Sequence, residues 1–245
     1  MLCWGHWCSC GAGENEHQSR DSSFYKIDEM TAHAKQAASR FDRWASTYGE
    51  DRMTRWFRCY QTLALSKLDI DNGPGFLEVG CGPGWAVREA AKRLQSGCCA
   101  GIDISTKMIE KAQAQSQDEE NVEFHVADAE SIPYPDMTFH SILCTNSFHH
   151  YKTPLKALDE IRRVLRREGT FVLLDSARDV SLAIWFQDRL RRYLEPSHMR
   201  YYTTTEIQNL LSTAHWKLKS PIRTIKNFND QGKAFTGLML MQCGK

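Results

Sequence analysis

The chain lacks the features that are typical of membrane-spanning proteins, of proteins that bind along nucleic acid, and of repeat proteins. No apolar run approaches the roughly 20 residues that a membrane-spanning helix needs. The formal net charge is only +1, so the chain has no large excess of positive charge that would favour binding along nucleic acid. No internal repeat is visible, and 245 residues suit one domain with a sizeable core. We therefore expect a soluble protein with no nucleic-acid partner.

Paired C-x-x-C spacing is also missing, although the chain has nine cysteines. The N-terminal segment carries a loose group of potential metal ligands: Cys3, His6, Cys8, Cys10 and His17. Because their spacing is poor for zinc, we predict no metal site. No secretion signal is evident, so we expect reduced thiols and a cytoplasmic location. Residues 1–29 are predicted to be a flexible tail before one domain at 30–245.

Strand-like and helix-like segments alternate through the middle of the chain. The strand candidates are 75–80, 99–104, 121–126, 139–145 and 170–175, and the helix candidates between them are 84–95, 105–117 and 154–167. Such alternation predicts an α/β fold with a mainly parallel sheet and helices on both faces.

Further elements flank this core at both ends. Helices are predicted near 37–48, 54–68, 180–194 and 204–213, and apolar runs follow at 215–226 and 234–242. The polar segment "NFNDQG" between the two runs predicts a turn, and hence an antiparallel hairpin at the sheet edge.

The segment Gly80-Cys81-Gly82-Pro83-Gly84 lies between the apolar strand Phe76–Val79 and the next helix. Bare backbone at such a turn lets a ligand approach closely, and the helix N–H groups point toward it. The spacing G-x-G-x-G differs from the dinucleotide fingerprint G-x-G-x-x-G, which disfavours NAD. We therefore predict a cofactor site for a nucleotide-like ligand, and NAD stays open as a less favoured alternative.

Polar residues at the ends of the following strands extend this site. Asp103 ends the second strand, where a carboxylate can accept both hydroxyls of a ribose, from NAD or S-adenosylmethionine alike. Asp128 and Ala129 follow the third strand, and an acceptor beside a backbone N–H can read the amino edge of adenine. The fourth strand ends in "CTNSFHHY", which puts Asn146, His149 and His150 above the same edge.

The segments "FLEVGCGPG", "GIDIS", "VADAE", "SFHHY" and "RRVLRREGTFVLLD" together resemble the class I S-adenosylmethionine-dependent methyltransferases. The likeness is strongest to the small-molecule branch similar to ubiquinone/menaquinone C-methyltransferases, and it covers roughly residues 37–245. It implies a Rossmann-like, mainly parallel seven-stranded sheet with a C-terminal antiparallel hairpin. Arg167-Glu168-Gly169 departs from the Pro-Gly-Gly turn of many relatives.

The resemblance also implies roles for individual residues. The methionine end of S-adenosylmethionine would be held by Glu78 and by the turn residues Gly80, Cys81, Gly82 and Gly84. Asp103 would bind the ribose, Ile104 would pack on the adenine, and Asp128 with Ala129 would bind its amino edge. Tyr48 would close over the cofactor, and Asn146 would also contact it.

The implied activity is methyl transfer to a small, aromatic or lipid-like acceptor of undetermined identity. His149 or His150 could act as the catalytic base, or both could be structural. Cys81 and Cys144 are predicted to pack rather than react. The alternatives are a protein or RNA methyltransferase, a cofactor-binding scaffold without catalysis, and an NAD oxidoreductase. The oligomeric state is left open.

Overall fold

The computed structural model describes residues 31–48, 52–94, 97–195, 197–225, 228–230, 233–235 and 237–245. The predicted tail 1–29, with its three cysteines, lies outside these residues. Within the described ranges, no helix is both long enough and apolar enough to cross a membrane.

Five parallel strands form the centre of the main sheet. They are β1 (Phe76–Val79), β2 (Cys99–Asp103), β3 (Val122–Val126), β4 (Phe139–Thr145) and β5 (Leu165–Ser176). They lie in the order β3-β2-β1-β4-β5. The strand order therefore reverses between β1 and β4, and ligands of open α/β sheets bind at such a switch point.

The C-terminal strands complete the sheet in antiparallel fashion. They are β6 (Lys217–Leu218), β7 (Arg223–Ile225), β8 (Phe228–Asp230), β9 (Lys233–Phe235) and β10 (Leu238–Gly244). β10 pairs antiparallel with β5 on one edge and with both β6 and β7 on the other. β8 and β9 form a separate two-stranded ribbon.

Seven α-helices accompany these strands in the described ranges. They are α1 (Ala32–Ala45), α2 (Arg52–Leu65), α3 (Trp85–Ala91), α4 (Thr106–Ala114), α5 (Pro154–Val164), α6 (Leu182–Leu194) and α7 (Thr204–Thr213). Two buried clusters mark the two faces of the sheet: α5 and α7 contribute to one, and α2, α3 and α4 to the other. Along β4, Ile142 belongs to the first cluster and Leu143 to the second, as strand alternation requires. The predicted α/β fold with helices on both faces is confirmed.

The predicted boundary between α5 and β5 is wrong. The helix ends at Val164 rather than at 167, and β5 begins at Leu165 rather than at 170. Leu165 occupies a position that fits the helical period, but it is extended and fully buried opposite Phe139 of β4. Pairing with β4 therefore overrides the helical pattern.

The C-terminal hairpin also needs correction. Phe228–Asp230, inside the predicted turn "NFNDQG", forms β8 and pairs with β9. The run predicted as one strand at 215–226 is divided into β6 and β7, so the described part of the chain contributes eight strands to the main sheet rather than seven. Pro221 lies between the two, where its missing N–H interrupts a ladder.

We expect Thr203→Ala to lower the free energy of unfolding by about 1 kcal/mol because it removes a helix cap. Thr203 Oγ1 accepts a hydrogen bond from the backbone N–H of Glu206 at 3.1 Å, and the Glu206 carboxylate accepts one from the N–H of Thr203 at 2.8 Å. Urea denaturation should show a lower midpoint with an unchanged slope. Thr213→Ala, at the exposed end of the same helix, is the control; equal losses in the two variants would contradict the capping role.

Candidate functional site

Three glycines form the turn between β1 and α3. Gly80, Gly82 and Gly84 have φ values of 77°, 52° and 74°, a region that L side chains rarely adopt. A Cβ on Gly80 would lie 2.1 Å from Ser147 Oγ, whereas one on Gly82 would meet nothing within 4 Å. The turn therefore packs closely against the end of β4 at Gly80 and leaves open space at Gly82.

Asp103 ties this turn to the end of β2. Its Oδ2 accepts a hydrogen bond from the N–H of Gly82, and its Oδ1 accepts one from the N–H of Ser105, both at 2.9 Å. Burial raises the pKa of Asp103 despite these backbone donors. Each carboxylate oxygen retains acceptor capacity for a further donor, such as a ligand hydroxyl.

Glu78 lies within β1 and is fully buried. Its Oε1 accepts hydrogen bonds from Gln61 Nε2 at 3.0 Å and from Thr145 Oγ1 at 3.3 Å. Its Oε2 is buried without a hydrogen-bond partner. Burial raises the pKa of Glu78 to about 8. The protonated form of Glu78 therefore predominates at neutral pH, and a cationic group brought near it would favour the ionised carboxylate.

Two cavities meet at the carboxyl ends of β1, β2 and β4, and each is named here after the part of the ligand that the sequence predicts for it. The nucleoside-side cavity is lined by Gly80, Asp103, Ile104, Asp128 and Ala129, among others. The methionine-side cavity is lined by residues that include Tyr48, Gln61, Gly80, Cys81, Gly82, Asp103 and Asn146. Phe41, Gly80, Asp103, Ser147 and His150 line both. The two cavities therefore form one elongated site across the switch point.

Asp128, Tyr48 and Asn146 lie at the two ends of this site. Asp128 Oδ1 accepts a hydrogen bond from the N–H of Glu130 at 2.9 Å, and burial raises the pKa of Asp128. At the other end, the ring of Tyr48 lies parallel to that of Phe57, with centroids 6.4 Å apart. Asn146 has a φ of 50°, one of three non-glycine residues with positive φ in the described ranges.

The histidine cluster (His149, His150 and His198) lies beside the site. His149 Nδ1 is 2.7 Å from Asp175 Oδ1, His150 Nδ1 is 2.9 Å from the carbonyl oxygen of Ser197, and His198 Nε2 is 3.0 Å from Asp188 Oδ1. Burial lowers the pKa values of all three imidazoles. At neutral pH the three rings are therefore uncharged.

Comparison with known proteins shows that part of the chain is similar to methyltransferases. Residues 77–173 match the family model described as "Methyltransferase domain". The uncharacterized methyltransferase YcgJ of Bacillus subtilis is 34% identical over 139 residues, which cover 56% of this chain and 54% of YcgJ. The demethylmenaquinone methyltransferase of Thermotoga maritima is 31% identical over 150 residues, which cover 58% of this chain and 62% of that enzyme. The chain thus spans little more than half the length of these relatives.

Solved structures share the fold. The chain matches geranyl diphosphate C-methyltransferase of Streptomyces coelicolor, solved with S-adenosyl-L-homocysteine, with a TM-score of 0.68 at 12% identity, covering 87% of this chain and 98% of that one. The crystal structure of YcgJ matches with a TM-score of 0.61 at 23% identity, covering 75% of this chain and 96% of that one. The chain therefore has the class I methyltransferase fold, which confirms the predicted fold. The predicted resemblance to methyltransferases is confirmed over residues 77–173.

Most of the predicted site residues of the methyltransferase domain lie together. The nucleoside-side and methionine-side cavities contain all of them except three: Glu78, Gly84 and His149. Glu78 lies behind Gln61, and Gly84 begins α3, where a Cβ would lie 2.5 Å from the ring of Phe124. His149 is buried and held by Asp175, whereas His150 faces both cavities.

Sequence reasoning missed Gln61, Ser147 and Asp175. Asp175 is the penultimate residue of β5, close to the strand end as Asp103 is in β2, so the strand-end argument could have found it. Gln61 and Ser147 carry no comparable signal, because their roles depend on packing against Glu78 and Gly80. Burial raises the pKa values of the Cys81 and Cys144 thiols, in keeping with the predicted packing role.

Proposed function

We propose that the chain transfers a methyl group from S-adenosylmethionine to a small-molecule acceptor. The observation that carries this proposal is the position of Asp103, which is bonded to the glycine turn and lines both cavities. A carboxylate at that point suits the ribose of a ligand that extends from one cavity into the other.

The residues present fit S-adenosylmethionine along the whole site. Gln61 lines the methionine-side cavity with its amide nitrogen held by Glu78, so Gln61, with Glu78 behind it, would face the positively charged methionine end. At the other end, Ile104 offers an apolar surface for the adenine, and Asp128 with Ala129 suits its amino edge. Tyr48 and Asn146, in the methionine-side cavity, would enclose the reacting end of the cofactor.

When bound, the cofactor supplies a methyl group already activated on a sulfonium. The residues of the chain then have to orient the acceptor in line with it and exclude water. In the neutral tautomer that donates Nδ1–H to the carbonyl of Ser197, His150 has a lone pair on Nε2. Because His150 lines both cavities, that nitrogen is suited to take a proton from an O–H or N–H acceptor. His149 would support its position from behind.

The wall of the methionine-side cavity favours an aromatic or lipid-like acceptor. Phe41, Trp44, Tyr48 and Phe57 line it, and Trp44 packs edge-on against Tyr48 with centroids 4.7 Å apart. Aromatic walls of this kind bind flat or apolar groups. Relatives described as fatty-acid O-methyltransferase and ajmaline N-methyltransferase match about half of this chain and illustrate the range of possible acceptors.

Calorimetric titration of the full chain tests the proposal. S-adenosylmethionine and S-adenosylhomocysteine should bind with micromolar dissociation constants, and NAD should not bind. A screen of aromatic and lipid-like acceptors with labelled cofactor should then show methyl transfer. Binding of NAD alone, or of none of the three, would overturn the cofactor assignment. Cofactor binding without turnover on any acceptor class would favour a cofactor-binding scaffold.

A further inference from the structure

The histidine cluster brings together groups from distant parts of the chain. His149 and His150 follow β4, whereas His198 lies between α6 and α7. One ring nitrogen from each histidine can be chosen so that all three lie within 4.8 Å of one another. The ring centroids of His149 and His150 are 4.1 Å apart, and those of His149 and His198 are 5.4 Å apart. The three rings therefore surround a common point beside the proposed methyl-transfer site.

The hydrogen bonds of the cluster define which nitrogen of each ring can act as an acceptor. When Asp175 and Asp188 are ionised, their oxygens and the carbonyl oxygen of Ser197 only accept, so His149 and His150 donate through Nδ1 and His198 donates through Nε2. In the neutral rings, the opposite nitrogens then carry lone pairs. His198 Nδ1 is one of these, and it is buried without a hydrogen-bond partner.

This pattern is typical of histidines that bind a metal ion. Metal-binding imidazoles usually donate their second ring N–H to a carboxylate or a backbone carbonyl, which orients the ring. All three rings here have such a partner: Asp175, Asp188 and the carbonyl of Ser197. Ligand nitrogens about 2.0–2.1 Å from a tetrahedral zinc ion lie about 3.4 Å apart, so modest rotations would close the cluster around an ion.

The charges around the cluster are compatible with a bound cation. Arg40 and Arg191 lower the pKa of His149, after the larger effect of burial. Both guanidiniums face the carboxylate of Glu195, at 2.9 Å and 3.8 Å respectively. Asp175 and Asp188 add two carboxylates directly behind the rings. Asp188 also pairs with Arg192 at 2.5 Å and with Arg178 at 4.0 Å, so Asp175 is the carboxylate that would balance the charge of a divalent cation.

We propose that His149, His150 and His198 bind a zinc ion, with a fourth coordination position for the methyl acceptor. Three histidines plus one exchangeable position form a common catalytic zinc site. His150 lines both cavities, so the ion would lie at the wall of the proposed transfer site. This inference rests on the proposed function and specifies the acceptor: an oxygen or sulfur group that can coordinate zinc.

Methyl transfer to an acceptor bound to the zinc ion conserves atoms and charge. Coordination to zinc lowers the pKa of the acceptor's O–H or S–H group, and the proton is released to solvent. A lone pair of the acceptor atom then forms a bond to the methyl carbon as the S–CH3 bond breaks. That electron pair stays on sulfur, which becomes a neutral thioether, and the zinc ion keeps its charge. In this state His150 is a ligand rather than a proton acceptor.

Cobalt titration of the full chain tests the site. Protein stripped with a chelator is titrated with Co²⁺, and the visible absorption of tetrahedral cobalt is followed; Zn²⁺ should then displace the cobalt. His198→Ala should weaken binding of both ions by at least about 100-fold because it removes one of three ligands. His150→Ala, at the cavity wall, should have a similar effect and serves if His198→Ala does not fold.

Two controls separate this site from other metal ligands. The triple variant Cys3→Ser/Cys8→Ser/Cys10→Ser tests the N-terminal cysteines, and His125→Ala tests an exposed histidine on β3. Both should retain wild-type cobalt spectra. S-adenosylhomocysteine binding is measured on every variant, so that its loss reports on the proposed function or on folding. No tetrahedral cobalt spectrum with intact S-adenosylhomocysteine binding, or a spectrum lost only in the cysteine variant, would overturn the zinc site.

Discussion

His150→Ala should lower the rate of methyl transfer by about 10²–10⁴-fold, the usual contribution of a positioned acid–base group. His150 is the member of the histidine cluster that lines both cavities, and Ser197 fixes its tautomer. Binding of S-adenosylhomocysteine should change much less, because Asp103 and Glu78 supply the proposed polar contacts. The measurements are kcat with an acceptor from the screen and calorimetry with S-adenosylhomocysteine.

The pH dependence of the wild-type rate gives a second test. Both proposed roles of His150, proton acceptor and metal ligand, need the neutral imidazole. Burial, followed by the neighbouring His149, holds the pKa of His150 well below its ordinary value of 6.5. The neutral form therefore predominates above that lowered pKa, and the part of the activity that depends on His150 should be lost as the pH drops through it. The same loss of activity at low pH in His150→Ala, or full activity in that variant beside an unchanged His125→Ala control, would contradict the assignment.

Asp103→Ala should weaken binding of S-adenosylhomocysteine by about 1–3 kcal/mol, or roughly 5- to 150-fold in the dissociation constant. The substitution removes the proposed bonds to the ribose. It also leaves the N–H groups of Gly82 and Ser105 without their acceptor, so the glycine turn is no longer hydrogen-bonded to the end of β2. Calorimetry measures the affinity, and thermal unfolding reports whether the fold is retained.

Asp42→Ala is the matched control for this variant. Asp42 accepts hydrogen bonds from Ser105 Oγ at 2.6 Å and from the N–H of Lys107 at 3.0 Å, close to Asp103 in space. It does not line the nucleoside-side or the methionine-side cavity. Its removal should lower thermal stability and leave the affinity for S-adenosylhomocysteine unchanged. Equal loss of affinity in the two variants would mean that Asp103 acts only through local structure.

Local patterns predict the elements well where one signal dominates. The alternation of apolar segments and helical stripes predicted five parallel strands and the helices between them, and these are confirmed with shifted ends. The prediction failed where two signals conflict. Leu165 fits a helical stripe, yet its burial opposite Phe139 makes it the first residue of β5. The spacing of apolar residues along the chain does not show whether the backbone N–H and C=O groups will bond within a helix or to a neighbouring strand.

Some residues of the candidate site could likewise be predicted from local patterns, and others could not. Carboxylates at strand ends can be read from the chain, so Asp103 and Asp128 were predicted and lie in the nucleoside-side cavity. The cysteine spacing led to the prediction of no metal site, and that reasoning did not consider His198 beside His149 and His150. The cluster forms because the segment after α6 folds back over the end of β4, where the N–H groups of Met199 and Arg200 bond the carbonyl of His149.

The sequence by itself determined the α/β architecture, the resemblance to methyltransferases and the edge of the sheet where a cofactor would bind. These follow from short-range signals: apolar periodicity, glycines that permit positive φ, and the chain direction that puts successive strand ends on one edge. Only the tertiary structure decided which oxygen of Glu78 lacks a partner and which nitrogen of each clustered histidine carries a lone pair. Those properties depend on burial and on hydrogen-bond partners from distant segments, which residue spacing along the chain does not encode.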